Sequence, residues 1–360
     1  MNRRTMLVGA GAVLVTAGSG AAAWQSAVGS MTQYEAFAAG LRDRLTPDLE
    51  AVIRYATLAA NSHNTQPWRF QLEGHAIEIR PDLQRRTPVV DPDDHHLYVS
   101  MGCAAANLML AAAATGRTGE ASLTADGNGI RYDYLMGEAK ADPLTDAIPK
   151  RQSTRAEYDG RASPAADLAE LERAAAIPGV SLALVTDRAR MKQVRDLVLA
   201  GNEDQMNDPA FMHELKQWIR FNPRSAMARG DGLFSAASGS PVLPTSLGRI
   251  ALDWLFSVAQ ENQKYARQID SSAGVAIFFG ERPDHDHWIR VGQACQRFAL
   301  AATSLGLKLA FINQPVEVAR LRADLAAIVG ETRRPDVVMR FGYGPALPFS
   351  PRRPVASVIA

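Results

Sequence analysis

Three short stretches of this chain carry side chains suited to holding a polar or charged ligand. Residues 61–68 read Asn-Ser-His-Asn-Thr-Gln-Pro-Trp and place Ser62, His63, Asn64 and Gln66 close together. Their polar groups serve as donors and acceptors, which suits the edge of a flat heteroaromatic ring. Pro67 fixes its own φ and biases Gln66 towards an extended backbone, so a loop of defined shape is expected. The same residue types also make an ordinary polar connector. The second stretch, Arg151-Gln152-Ser153-Thr154-Arg155, brings two guanidiniums and a hydroxyl together. That set can match a phosphate dianion through bidentate, charge-assisted hydrogen bonds, although a solvated basic turn has the same composition. The third, Ser350-Pro351-Arg352-Arg353-Pro354, adds a basic pair near the C-terminus, where such pairs are by themselves ordinary surface charge.

Other chemistries find less support. Asp91, Asp93, Asp94, His95 and His96 cluster, as do Asp284, His285, Asp286 and His287. Both clusters precede an Ala-rich helix, where acidic residues are expected, and neither spacing matches a closed ligand set, so no metal is expected. There is no Gly-x-Ser-x-Gly elbow for a hydrolase and no Gly-x-Gly-x-x-Gly dinucleotide fingerprint. Cys103 and Cys295 fall in apolar helical segments and read as small buried hydrophobes, without a disulfide framework. Thirty-nine Lys and Arg against 38 Asp and Glu leave a net charge of +1, which excludes a global basic field for nucleic acid.

The chain has 360 residues and 47% hydrophobic content, enough for two domains or a duplicated one. A helix is expected from Thr46 as N-cap with Pro47 at its first position, burying Leu49, Val52, Ile53, Ala56 and Ala60. It ends at Asn61, and Trp68, Phe70 and Leu72 then alternate as a strand, with Gly74 turning into Ile77 and Ile79. Residues 102–116 laid over 292–306 share six identities at one offset, including Gly102 with Gly292, Leu110 with Leu300 and Gly116 with Gly306. An internal repeat follows. Val180–Val185, Val275–Phe279 and Val337–Phe341 are apolar runs typical of buried strands, so a mixed α+β sandwich-like core is expected. The polar, proline-containing span 140–155 suits a boundary between halves. Residues 201–250 interrupt the pattern with turn signals, and Met206, Phe211, Met212, Trp218 and Phe221 offer apolar groups for a mobile cover or for local packing. Arg3-Arg4 ahead of an uncharged run from Val8 to Ala23 reads as a twin-arginine export signal, with Ala21-Ala22-Ala23 as a cleavage region. The run is short for a membrane-spanning helix.

Together these motifs resemble the nitroreductase family of FMN enzymes, and within it the Acg-type branch. The resemblance implies an α+β nitroreductase-like fold of two related halves fused as a pseudo-dimer that functions as a monomer. The expected boundaries are an export signal over 1–30, a first half over 40–147, and a second half over 148–360 with a lid-like insertion at 201–250. It implies that Ser62, His63, Asn64 and Gln66 line the flavin ring and ribityl side. Arg151, Ser153, Arg155 and Arg352 or Arg353 would hold the phosphate. Asn313 and Gln314 would lie near the reactive ring edge, with Gln314 by N5. The implied activity is FMN-dependent reduction of a small electron-poor acceptor, nitroaromatic or quinone, with NAD(P)H as possible donor. The implied location is the cell envelope or periplasm, reached through the twin-arginine export machinery, with an uncleaved membrane anchor as the variant. Two other readings stay open: an FMN-sequestering protein without turnover, and a scaffold that has lost its cofactor.

Overall fold

The computed structural model describes residues 24–360. The export-signal reading over 1–30 falls mainly on residues 1–23, outside the described part. Residues 24–30 already touch the body, since Val28 is buried and Arg224 donates to the Ser26 carbonyl.

Helix α1 (Met31–Gly40) leads to α2 (Leu49–Thr57). Asp48 caps α2 in place of Thr46, accepting from the Ala51 N–H at 2.8 Å, while the Thr46 hydroxyl donates to the other carboxylate oxygen at 2.5 Å. The acidic side chain two residues on wins because it both caps and complements the helix dipole, which leaves Pro47 outside the helix. The first sheet follows: β1 (Trp68–Glu73) and β2 (Ala76–Pro81) form a hairpin, then α3 (His95–Ala114) intervenes before β3 (Arg117–Leu123) and β4 (Ile130–Met136).

The second half runs α4 (Ala165–Ala174), β5 (Val180–Val185), then a helical excursion through α5 (Arg188–Asn207), α6 (Pro209–Trp218), α7 (Pro223–Arg229), α8 (Thr245–Leu255) and α9 (Val258–Asp270). It closes with β6 (Gly274–Gly280), α10 (His285–Ser304), β7 (Lys308–Phe311), α11 (Gln314–Glu317), α12 (Arg322–Ile328) and β8 (Val337–Gly342). The excursion is wider than the 201–250 read from turn signals, because α5 and α9 lie outside that window and pack on the sheet.

The two four-stranded sheets are antiparallel and share one order, β1-β2-β4-β3 in the first and β5-β6-β8-β7 in the second, while Ile219–Arg220 and Leu233–Phe234 form a short parallel pair within the excursion. The three apolar runs expected as strands are β5, β6 and β8. Every residue of β6 is buried. Ala276 and Phe278 point into the core shared with α10, whereas Val275, Ile277 and Phe279 point into a second core with Val194, Val198 and Ile269. A strand covered on both faces needs no polar alternation.

Helices α3 and α10 are the same length and begin and end 190 residues apart, as the repeat predicts. Each is followed by a left-handed glycine, Gly116 at φ +82° and Gly306 at φ +75°. The helices cross reciprocally: a Cβ on Gly102 would fall 2.0 Å from the Ile289 carbonyl oxygen, and one on Gly292 would fall 2.0 Å from that of Val99. Only glycine permits backbones this close. Helix α3 has the length and apolarity of a membrane span, but 83% of that window is buried inside the fold.

Gly102→Ala or Gly292→Ala should therefore destabilise the protein by about 3 kcal/mol or more, since a backbone carbonyl cannot move aside like a flexible side chain. Gly40→Ala, with open space around it, should be neutral or slightly stabilising. Urea denaturation of the three variants checks this contrast.

Candidate functional site

The Arg151–Arg155 segment lies extended along β7, with Ser153 bridged to Leu309 and the Thr154 N–H donating to the Leu309 carbonyl at 2.7 Å. Arg340 of β8 is wholly buried and donates to the carbonyls of Ala156 at 2.8 Å and Thr154 at 3.3 Å, its guanidinium 4.1 Å from the Tyr158 ring centroid. The backbone that carries the motif is thus fixed from beneath. The motif borders a recess of about 460 Å³, counted with the space open to solvent. The first half contributes Arg42, Ala60, Asn61 and Asn64 to its wall. The second contributes Arg151, Gln152, Ser153, Arg155, Arg352, Leu233, Phe311, Phe349 and Ser350.

Four arginines and no carboxylate stand among these lining residues. Arg151 makes a single side-chain hydrogen bond, to the Leu58 carbonyl at 3.2 Å, and its buried Nε and Nη1 have no partner among the described residues. Arg42 donates to the carbonyls of Ala38 at 2.8 Å and Ser350 at 3.4 Å and lies 3.9 Å over the Phe349 ring, but its Nε is likewise unpartnered. Burial lowers Arg42 to about 10 and holds Arg151 and Arg155 below their ordinary values. Buried cations without counter-charge call for an anion. A phosphate-type anion would supply that counter-charge through charge-assisted hydrogen bonds.

Arg352 and Arg353 differ from these. Arg352 is buried and donates to the carbonyls of Thr57, Leu58, Ala59 and Pro351 and to Asn64 Oδ1, at 2.6 to 3.2 Å, thereby capping the C-terminal end of α2. It lines the recess, yet its N–H groups are already engaged. Burial and the like charges of Arg42 and Arg151 hold it well below its ordinary value. Arg353 points elsewhere, to the carbonyls of Gln66 and Ser357 and to Asp82 at 3.7 Å, and does not border the recess.

The polar loop departs most from expectation. His63, Asn64 and Gln66 all have positive φ, at +48°, +54° and +54°, so Gln66 is left-handed and not extended despite Pro67. Each costs on the order of 1 kcal/mol or more. Tertiary bonds override the local bias: the Gln66 N–H donates to Asn61 Oδ1 at 2.8 Å, its Nε2 donates to the Gly230 carbonyl at 2.8 Å, and its Oε1 accepts from the Arg353 N–H at 2.9 Å. Asn64 Nδ2 donates to the carbonyls of Gly232 and Pro351, both at 3.0 Å. Asn64 therefore borders the recess while bonded away from it, and Gln66 lies behind the wall. Ser62 and His63 bond one another at 3.2 Å, and the Ser62 N–H donates to Ser100 Oγ, neither residue lining the recess.

Asn313 and Gln314 are also off the lining. Asn313 Oδ1 accepts from the Val338 N–H at 2.8 Å, whereas Gln314 is buried beneath Gly201 of α5 with Oε1 unpartnered. Of the apolar residues in the excursion, Trp218 lies against Arg85, and Phe221 is buried beside Gly248. Leu233 is the excursion residue on the recess wall. Sequence reasoning missed Arg42, whose turn carries no motif; its role comes from the fold alone.

A model of the nitroreductase family matches residues 148–344, more than half of the chain. The chain belongs to the nitroreductase family. Relatives in Mycobacterium tuberculosis include Rv3131, 29% identical over 329 residues that cover 87% of this chain and 92% of that protein. Another is acg, 22% identical over 87% and 95%. Both are named for a proposed NAD(P)H nitroreductase activity. Among solved structures, a Bacteroides fragilis nitroreductase with bound FMN aligns over 57% of this chain and 90% of its own at 17% identity, with a TM-score of 0.36.

Burial, then the charges of Arg155 and His96, lowers His63 to about 4, so at neutral pH its imidazole is uncharged. An anion bound at Arg155 would offset that charge and raise the His63 midpoint. NMR titration of its ring protons should show an upward shift on adding inorganic phosphate, and no shift in Arg155→Ala.

Proposed function

We propose that this nitroreductase-family chain is an FMN-dependent oxidoreductase whose arginine recess receives the phosphate of the cofactor. The observation that carries the reading is the set of buried, unpaired guanidinium nitrogens on Arg42 and Arg151, one residue from each half, both of which line a single recess. Bound flavin supplies the electron transfer; the protein binds, orients and shields it. Arg151, Ser153 and Arg155 hold the phosphate, and Arg42 closes the opposite wall. Arg340 keeps the motif backbone in place from below, and Arg352 fixes the end of α2 where Ala60 and Asn61 begin the first-half wall. Ser62, His63 and Gln66 act through loop shape.

The shared sheet order and the 190-residue spacing of α3 and α10 support a fused pseudo-dimer, in which each half supplies one wall of one site. Rv3131 and acg support NAD(P)H as donor. Nitroaromatics or quinones are the proposed acceptors, and the Arg3-Arg4 motif ahead of an uncharged run supports a location outside the cytoplasm. A sequestering protein without turnover is the second reading, favoured by the 230–232 segment bonded onto the polar loop. Against it, neither Trp218 nor Phe221 borders the recess.

Purified protein equilibrated with FMN should show flavin absorbance that bleaches anaerobically with NAD(P)H. Absence of flavin bands would sink the proposal, and bands that never bleach would favour sequestration. Arg151→Ala and Arg42→Ala should each weaken FMN about 10- to 100-fold, the equivalent of losing one or two charged hydrogen bonds, in fluorescence titrations.

A further inference from the structure

At the N-terminal end of α3, Asp91, His95 and His96 each turn one ligand atom to a common place. These atoms lie within 4.8 Å of one another, and all three residues are buried. The sequence reading expected no metal because the spacing fits no closed set; the turn before α3 nevertheless brings the carboxylate back over both imidazoles. Asp91 is held rigidly, its two oxygens accepting from the backbone N–H groups of His96 at 2.9 Å and Leu97 at 3.0 Å. Each oxygen retains a further lone pair.

His95 is 1% exposed, and its Nε2 lies 3.0 Å from Asp336 Oδ1, so a second buried carboxylate stands beside the cluster. His96 Nε2 lies 3.2 Å from the Asp336 carbonyl, which leaves its Nδ1 on the side of the Glu317 carboxylate. Glu317 Oε1 stands 3.9 Å from His96 Nδ1 and lines a cavity of about 170 Å³ with Val89, Val90, Gln205 and Phe211. Arg334, on this side of the fold, is ion-paired with Asp93 at 2.6 Å. In the repeat-related cluster of the second half, Asp284 Oδ1 bonds His287 Nδ1 at 2.6 Å and its backbone N–H at 3.0 Å, and His285 stacks on Tyr98 at 3.7 Å.

The geometry points to a divalent transition-metal site: we propose that Asp91, His95 and His96 bind one cation of the zinc type, with the cavity beside Glu317 as its entry path. Two imidazoles and one carboxylate suit such ions better than calcium or magnesium, which prefer all-oxygen sets. None of Asp91, His95 and His96 lines the arginine recess.

The test uses the folded chain stripped with EDTA, equilibrated with Zn(II), desalted and measured by elemental analysis. One zinc per chain is expected, with a rise in melting temperature that EDTA reverses. His95→Gln and His96→Gln should each lower Zn(II) affinity at least tenfold while far-UV circular dichroism stays unchanged. Absence of zinc in the wild type, or undiminished zinc in both variants, overturns the proposal. Should the variants fail to fold, Co(II) in the wild type decides. Ligand-field bands distinct from those of aqueous Co(II) support the site, and the aqueous spectrum overturns it.

Discussion

The close crossing of α3 and α10 at Gly102 and Gly292 is the constraint on which the rest depends. With each glycine seated on a carbonyl of the opposite helix, neither helix can slide or rotate without a backbone clash. The two sheets, each carried by one of these helices, are thereby locked in a fixed relation. The loop after α2 then faces the segment beside β7. A buried polar chain reinforces this: Gln296 of α10 accepts from the Ala60 N–H at 3.1 Å and donates to Asn107 of α3 at 2.8 Å, and Asn107 donates to the Tyr55 carbonyl at 2.9 Å. The start of the polar loop is thus tied directly to the helix crossing.

Within that frame, the buried arginines separate by what their N–H groups touch. Arg340 and Arg352 are surrounded by carbonyl oxygens and act as internal braces, replacing the water that their guanidiniums lost. Arg42 and Arg151 retain unpartnered nitrogens in a recess without a carboxylate. The distinction is one of geometry: the sequence motifs mark Arg151 and Arg352 alike and leave Arg42 and Arg340 unmarked. Residual hydrogen-bonding capacity together with a place on the recess wall marks the ligand-facing members, since Arg340 Nε is also unpartnered but lies off that wall.

Features set by local pattern were legible in the sequence. The apolar runs of β5, β6 and β8 follow from burial on both faces, and the repeat foretold two helices with equivalent ends because Gly102 and Gly116 serve steric roles that recur at Gly292 and Gly306. Features set by contacts distant in the chain were not. Gln66 adopts positive φ against the bias of Pro67 because Asn61, Gly230 and Arg353 grip it. Arg42 joins the recess through the packing of α1 against the C-terminal segment, which no motif records. The extent of the excursion was misjudged because turn residues mark breaks between helices, whereas α5 and α9 on either side are held by the apolar face of β6.

The two halves differ where the same topological position is filled differently. Between β1 and β2 a tight turn at Gly74 suffices; between β5 and β6 the chain inserts five helices. Those helices bury the outer face of the second sheet and deliver Gly230–Gly232 to the polar loop. The C-terminal segment makes the reverse connection: Phe70 of β1 donates to the Val358 carbonyl at 2.8 Å and accepts from the Ala360 N–H at 2.9 Å, leaving Arg352 and Arg353 against the first half. Each half is therefore braced by a segment of the second. The strained backbone at His63, Asn64 and Gln66 persists because these two segments hold it from both sides, so the loop's shape belongs to the whole chain and not to its own sequence.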